Sequence, residues 1–313
     1  MKRLREVLDR HRVATFCFIT FVLTWALWFA TVYPLAVPLL SSGEKTTLSD
    51  PRALMFVAAG MLCPSIGVIA TRLLTGEGFK NAWVRPRAFR RTGKYYAIGW
   101  FGPIVLVAFG AAVFYLVFPS DFDPGMSEYL RTLQAQFAAA SQGATLPADE
   151  ARMLAYAQLG LVFVAPLLNF VACFGEEWGW RGYLLPKLVE RHSSTYAIVV
   201  GGVIWGLWHA PITALGHNYG LGYPGWPIAG IVAMCVFTTF VGAFLSWLTI
   251  RSRSCIPAVL AHGALNGCSQ GPLMFAAYET SPFLGPTAVG IIGGIGFVLA
   301  GIACTVALSS PRD

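Results

Sequence analysis

Apolar runs close to the ~20 residues that a helix needs to cross a bilayer recur along this chain, and they leave it few folds. They fall at about 14–40, 53–74, 96–118, 152–186, 195–215, 228–250, 255–275 and 284–309. Backbone N–H and C=O groups find no water inside a bilayer, so each run has to close its hydrogen bonds on itself, as a helix. The sequence therefore predicts an all-α, polytopic transmembrane helical bundle of about eight spans, one membrane domain over 1–313. Composition excludes an ordinary soluble domain: 56% of residues are hydrophobic and 12% charged, against about 25% charged in soluble proteins. The first run follows the basic stretch MKRLREVLDRHRV and is too long for a signal-peptide core, so it reads as a span.

A net charge of +7 could suit nucleic acid, but the basic residues sit in short segments beside the apolar runs, which is how membrane topology is encoded. With eight spans and the N-terminus in the cytosol, 18 Lys and Arg fall in inside segments; Lys45, Arg52, Arg131 and Arg152 fall outside. Both termini are therefore expected in the cytosol and the protein in a membrane, the cell membrane if the source is bacterial. The seven cysteines lie mostly inside apolar runs with no CxxC pair, and read as buried thiols. Within the polar segment 119–152, Leu130, Leu133 and Phe137 predict a short interfacial helix. Pro147 followed by Asp149 and Glu150 predicts another helix start. Gly202 with Gly206, and Gly290 with Gly294, are spaced four apart for close helix packing within spans.

Against this apolar background the stretch Phe174-Gly175-Glu176-Glu177-Trp178-Gly179-Trp180-Arg181 stands out. A charge at membrane depth costs about 2.5–3.5 kcal/mol on insertion scales, so it needs a partner or a task. On a helix Glu177 and Arg181 are four apart and pair, with Glu in the favourable N-terminal position. Glu176 points about 100° away and has no local counter-ion. Of five histidines, His11 and His192 fall in basic segments and His217 in a Gly/Pro-rich outer loop; all three read as solvated. His209 and His262 lie inside apolar runs and are functional candidates. Trp205 is four residues before His209 and can wall the imidazole; Asn266 is four residues after His262 and sets an amide beside an imidazole. Six polar groups from three spans have to face one another or a wet cavity.

Such a set suffices for hydrolysis of an amide without a cofactor. A carboxylate acts as base, an imidazole aligns water, and N–H donors stabilise the oxyanion. There is no Ser/His/Asp elbow and no HExxH helix. A zinc ion on Glu176, His209 and His262 is an alternative, because three protein ligands plus water is the usual catalytic count. A proton-relaying transporter would need two related halves with broken helices, and no internal repeat is found. A non-catalytic immunity or partner-binding protein would not need the set intact.

Glu176-Glu177-Trp178-Gly179-Trp180-Arg181 matches an EExxxR motif, Trp205 to His209 an aromatic-xxxH motif, and His262 to Asn266 an HxxxN motif. In this order within apolar runs, they resemble the CAAX prenyl endopeptidase type II family, also called the CAAX protease and bacteriocin-processing (Abi) family. The resemblance covers about 155–275, the expected catalytic core. It implies an eight-helix membrane bundle with a conical cavity open to the cytosol, and a glutamic-type protease that needs no metal. It implies that Glu176 activates water with His209, that His262 and Asn266 form the oxyanion hole, and that Glu177 and Arg181 support them. Trp205 stands where Phe is commoner in the family. The implied partners are the bilayer and a peptide or lipidated-protein substrate: prenylated CAAX proteins, bacteriocins or other membrane-associated peptides. Nothing in the sequence fixes an oligomeric state.

Overall fold

The computed structural model describes residues 2–40, 48 and 50–310; Lys45 and Arg312, counted above in the charge asymmetry, lie outside them. A basic helix α1 (Lys2–Arg10) leads into α2 (Arg12–Leu40). The second pass is α3 (Pro51–Gly60) and α4 (Cys63–Thr75). Asp50 caps α3 by accepting the Arg52 N–H, Pro64 sits in the first turn of α4, and Gly76 ends α4 at φ +68°, a conformation that costs glycine little. Then come α5 (Phe89–Val117), the amphipathic α6 (Ser127–Ala140) and α7 (Ala148–Leu161). Both helices expected within the polar segment are present.

The run over 152–186, longer than a single span needs and expected to project beyond the hydrocarbon or to break near Gly175–Gly182, is a chain of short pieces. After α7 come α8 (Ala165–Leu168), α9 (Phe170–Gly179), a π turn (Trp180–Leu184) and α10 (Leu185–Val189). Pro166 and Pro186 each sit in the first turn of a new helix, because proline suits a helix start and breaks a helix interior. Next are α11 (Ser194–Trp208), capped by Ser193, and α12 (Ala210–Ala214), then α13 (Ile228–Ser252) and α14 (Ile256–Cys268). The last helix, α15 (Ile295–Ser309), covers only part of the run expected over 284–309. The preceding segment folds back on itself: the Ile291 and Ile292 N–H groups donate to Phe283 and Leu284 carbonyls. Gly290 and Gly294 therefore serve a tight fold-back and a helix start, whereas Gly202 and Gly206 do pack a helix pair, against Thr239 and Cys235 of α13.

Among the described residues four helical stretches are long and apolar enough to cross a membrane: Arg12–Leu40, Pro51–Thr75, Phe89–Val117 and Ile228–Ser252. Shorter apolar helices, Ser194–Trp208 and Ile295–Ser309 among them, pack with these. Large apolar side chains such as Phe18, Leu116, Val171 and Ile291 point outward, as suits a lipid solvent. The chain is an integral, multi-pass helical membrane bundle with no strand among the described residues. Several of its passes are broken.

Contacts along the helices fix their directions. Trp28 of α2 meets Phe56 of α3 while Arg5 meets Thr75, so the first two passes are antiparallel. Tyr115 bonds the Pro272 carbonyl while Gly99 packs on Pro257, so α5 and α14 run the same way. α13 and α15 are parallel, with Arg251 on the Ala307 carbonyl and Phe240 against Gly301. One end of the bundle thus gathers residues near 5–12, 75–94, 187–194 and 251–255. The other gathers residues near 28–40, 50–56, 115–147, 217–227 and 269–290.

Candidate active site

Local sequence places the site. The EExxxR stretch occupies the end of α9 and the π turn, and Glu176, Glu177 and Arg181 are 1%, 0% and 4% exposed. The extra residue of a π turn re-aims the side chains that follow it, and such turns gather at functional sites. His209 ends α11, where Pro211 opens the next helix, and His262 and Asn266 lie on α14.

Glu177 and Arg181 pair as their spacing predicts, Nη1 to Oε1 at 3.1 Å. The same Glu177 Oε1 lies 2.9 Å from His262 Nδ1. A carboxylate accepts, so Nδ1 carries a proton that it donates to Glu177. The other oxygen, Oε2, has no hydrogen-bond partner among the described residues. His209 Nδ1 lies 2.8 Å from the Trp205 carbonyl, which also accepts only, so His209 holds its proton at Nδ1 and keeps Nε2 as an acceptor. Asn266 is exposed to the cavity, and its Nδ2 lies 3.6 Å from Cys173 Sγ, a weak contact that leaves donor capacity.

Trp205 is the hub. Its indole N–H donates to Glu176 Oε2 at 2.7 Å, and Trp180 donates to the same oxygen at 3.2 Å. The Trp205 ring lies 5.9 Å from the His209 ring and 5.4 Å from the His262 ring, with the Arg181 guanidinium 4.1 Å from its centre. The sequence reading offered Trp205 as a wall; the structure adds a hydrogen bond that a phenylalanine cannot make. Glu176, Trp205, His209, His262 and Asn266 all line one cavity of about 280 Å³. Glu177 and Arg181 stand behind it.

Sequence reasoning missed His217. Expected to be solvated, it is half-buried and lines the cavity, its ring parallel to that of His209 at 6.1 Å between centres. The signal was its position eight residues after His209, about two helical turns; Gly216, at φ +98°, turns the chain back there and hid it. Gln270, just past the end of α14, also lines the cavity unforeseen. Among the described residues no three His, Cys, Asp or Glu side chains are grouped as a metal site. The Nδ1 atoms of His209 and His262 are engaged by the Trp205 carbonyl and Glu177, which leaves Nε2 as the remaining ring nitrogen of each.

Asn218, Ser269, Gln270 and Val289 also line the cavity. Trp180, Tyr183, Leu184 and Leu188, which follow Glu176 in the chain, are buried, and Glu77 pairs with Arg12, Arg72 and Lys187 at the basic end.

Comparison with known proteins falls on the same segment of the chain. Residues 158–268, spanning all three motifs, match the family model described as type II CAAX prenyl endopeptidase, Rce1-like. That segment is similar to the Rce1-like family. The segment is also similar to CAAX prenyl protease 2 of Methanococcus maripaludis, 31% identical over 101 residues. That alignment covers 32% of this chain and only 37% of the relative. All three motif helices of the Rce1-like segment border the cavity, whereas the first 150 residues contribute chiefly Trp28, Val57 and Met61 to its wall.

Proposed function

We propose that the chain is a membrane-embedded endopeptidase that hydrolyses a peptide bond of a membrane-associated peptide or protein by a metal-independent, glutamic-type mechanism. The observation that carries this reading is the Trp205 hub, which joins Glu176 and both imidazoles around one cavity. Water bound between Glu176 and His209 Nε2 donates to two acceptors and turns its lone pair toward the scissile carbonyl. Glu176 takes one proton as the oxygen attacks carbon. The oxyanion is stabilised by the Asn266 amide and by Nε2–H of His262, whose imidazolium form is held by Glu177 at the other nitrogen. Glu176 then gives its proton to the departing amine as the C–N bond breaks. Each oxyanion donor contributes roughly 3–4 kcal/mol in a dry site.

The test is turnover of a membrane-associated peptide in detergent by wild type and His209→Ala. The variant is expected to be slower by at least ~10²-fold at an unchanged melting temperature. Chelator is expected to leave the wild-type rate unchanged. Equal turnover by the two proteins ends the assignment in favour of a non-catalytic partner protein, and inhibition by chelator returns zinc.

Trp205→Phe isolates the hydrogen bond from the wall. Loss of one charge-assisted bond to Glu176 is expected to lower kcat about tenfold with little change in KM. An unchanged kcat assigns the orientation of Glu176 to Trp180 alone.

A further inference from the structure

We infer that His217 touches the substrate: its imidazole, set in the cavity wall beside His209, hydrogen-bonds the peptide backbone next to the scissile bond. The ligand is the peptide of the reading above, so the contact rests on that reading; the placement of the ring does not. His217 sits between two left-handed residues, Gly216 at φ +98° and Asn218 at φ +68°. Glycine adopts that conformation freely, and asparagine more readily than most residues. Backbone held in such sparsely populated regions clusters at ligand sites. The backbone of His217 itself is fully used. Its N–H donates to the Ile212 carbonyl at 3.0 Å, and its carbonyl accepts from the Tyr219 N–H at 2.9 Å. Tyr219, 1% exposed, pins the far side of the turn, its hydroxyl donating to the Val289 carbonyl at 3.4 Å.

The side chain, by contrast, has no hydrogen-bond partner for either ring nitrogen among the described residues. Its one ring contact is the parallel face of His209 at 6.1 Å. The other two cavity imidazoles are anchored at Nδ1, His209 on the Trp205 carbonyl and His262 on Glu177. A histidine that serves packing alone is normally hydrogen-bonded where it is buried. The left-handed φ angles fall on its neighbours, so the turn makes no demand for an imidazole at 217. An unclaimed neutral imidazole offers one N–H donor and one acceptor, the complement of a peptide carbonyl and N–H. The adjoining wall has the same chemistry. Asn218, Ser269 and Gln270 also line the cavity, and none of them enters the hydrolytic scheme. No Lys or Arg borders the cavity, and Glu176 is its sole acid among the described residues. Away from Glu176 a ligand therefore meets uncharged donors and acceptors, the pattern that an extended peptide backbone satisfies. With His209 aligning the water, a residue bound at His217 lies next to the carbonyl under attack.

Two substitutions separate the ring from its nitrogens. His217→Phe keeps an aromatic face against His209 and removes both nitrogens; His217→Gln supplies a neutral donor and acceptor. The probe is the peptide cleaved fastest from a pool of short, internally quenched peptides without charged residues, assayed with the full-length protein in detergent. His217→Phe is expected to raise KM about tenfold with kcat within about threefold of wild type, because a hydrogen bond made equally in ground and transition states shows in KM alone. The melting temperature is expected to stay unchanged, and His217→Gln to recover most of the loss. An unchanged KM in His217→Phe overturns the inference, as does a loss that glutamine does not relieve or one confined to kcat. Diethyl pyrocarbonate, which carbethoxylates accessible unprotonated imidazoles, gives a readout without turnover. In Glu176→Gln protein, mass spectrometry is expected to find His217 modified, and the modification to be lost when the peptide pool is present. Protection of His217 with no cleavage by wild type removes the peptidase reading and leaves the peptide contact. Cleavage by wild type with His217 unprotected and KM unchanged in His217→Phe does the reverse, and neither cleavage nor protection removes both.

Discussion

Glu176→Gln is expected to cut turnover by at least ~10²-fold and to leave the protein as stable as wild type, or more so. The amide keeps the size of the side chain, and its carbonyl oxygen can still accept the Trp205 and Trp180 N–H bonds that fix Glu176. What it loses is the basic oxygen that removes a proton from water. Alanine would confound this with a hole behind Trp205, so glutamine is the cleaner variant. Stability has a definite expected sign. The carboxylate is 1% exposed, and two indole donors replace water only in part, so a neutral isostere sheds a desolvation cost. Single-turnover cleavage and thermal unfolding in the same detergent check both halves. A variant within threefold of wild type would move the base elsewhere in the cavity, with His217 the next candidate, since it faces His209.

The helical membrane class was legible because twenty-residue hydropathy is a coarse, local property. Breaks within the passes were written too, in Pro64, Pro166, Pro211 and Pro257, but a hydropathy window averages over a proline. Within the site, what the sequence revealed was what i,i+4 spacing can carry: Glu177 with Arg181, and Trp205 with His209. What it hid spans long separations. His262 meets Glu177 from 85 positions away, and Trp205 reaches Glu176 across 29. No pattern in one helix announces either contact. They changed roles as well as distances, since Glu177 proves to be the shared partner of a guanidinium and an imidazole, beyond a helix-face ion pair.

Arg181→Ala is expected to cost about 3–5 kcal/mol, against a total stability of roughly 5–15 kcal/mol for a typical domain. Arg181 is 4% exposed, 3.1 Å from Glu177 Oε1, and stacked over Trp205 at 4.1 Å. In the proposed protonation scheme two carboxylates, one guanidinium and one imidazolium sum to zero, and no water-exposed atom of Glu177 is left to absorb an imbalance. Removing the guanidinium leaves net negative charge buried beside the cavity and takes the face contact from Trp205. The expected outcome is a large fall in detergent-stable yield and melting temperature. Arg181→Lys keeps the charge without the planar fork and should recover part of the stability. The decisive protein is Glu177→Gln combined with Arg181→Met. It removes both charges, so stability should return well above that of Arg181→Ala alone, a coupling that a double-mutant cycle reads directly. Turnover should not return with it, because His262 has then lost the carboxylate that holds its imidazolium form and aims Nε2–H into the cavity. Full stability in Arg181→Ala would show that His262 alone neutralises Glu177. Full turnover in the double variant would free His262 from Glu177 and assign the oxyanion to Asn266 alone.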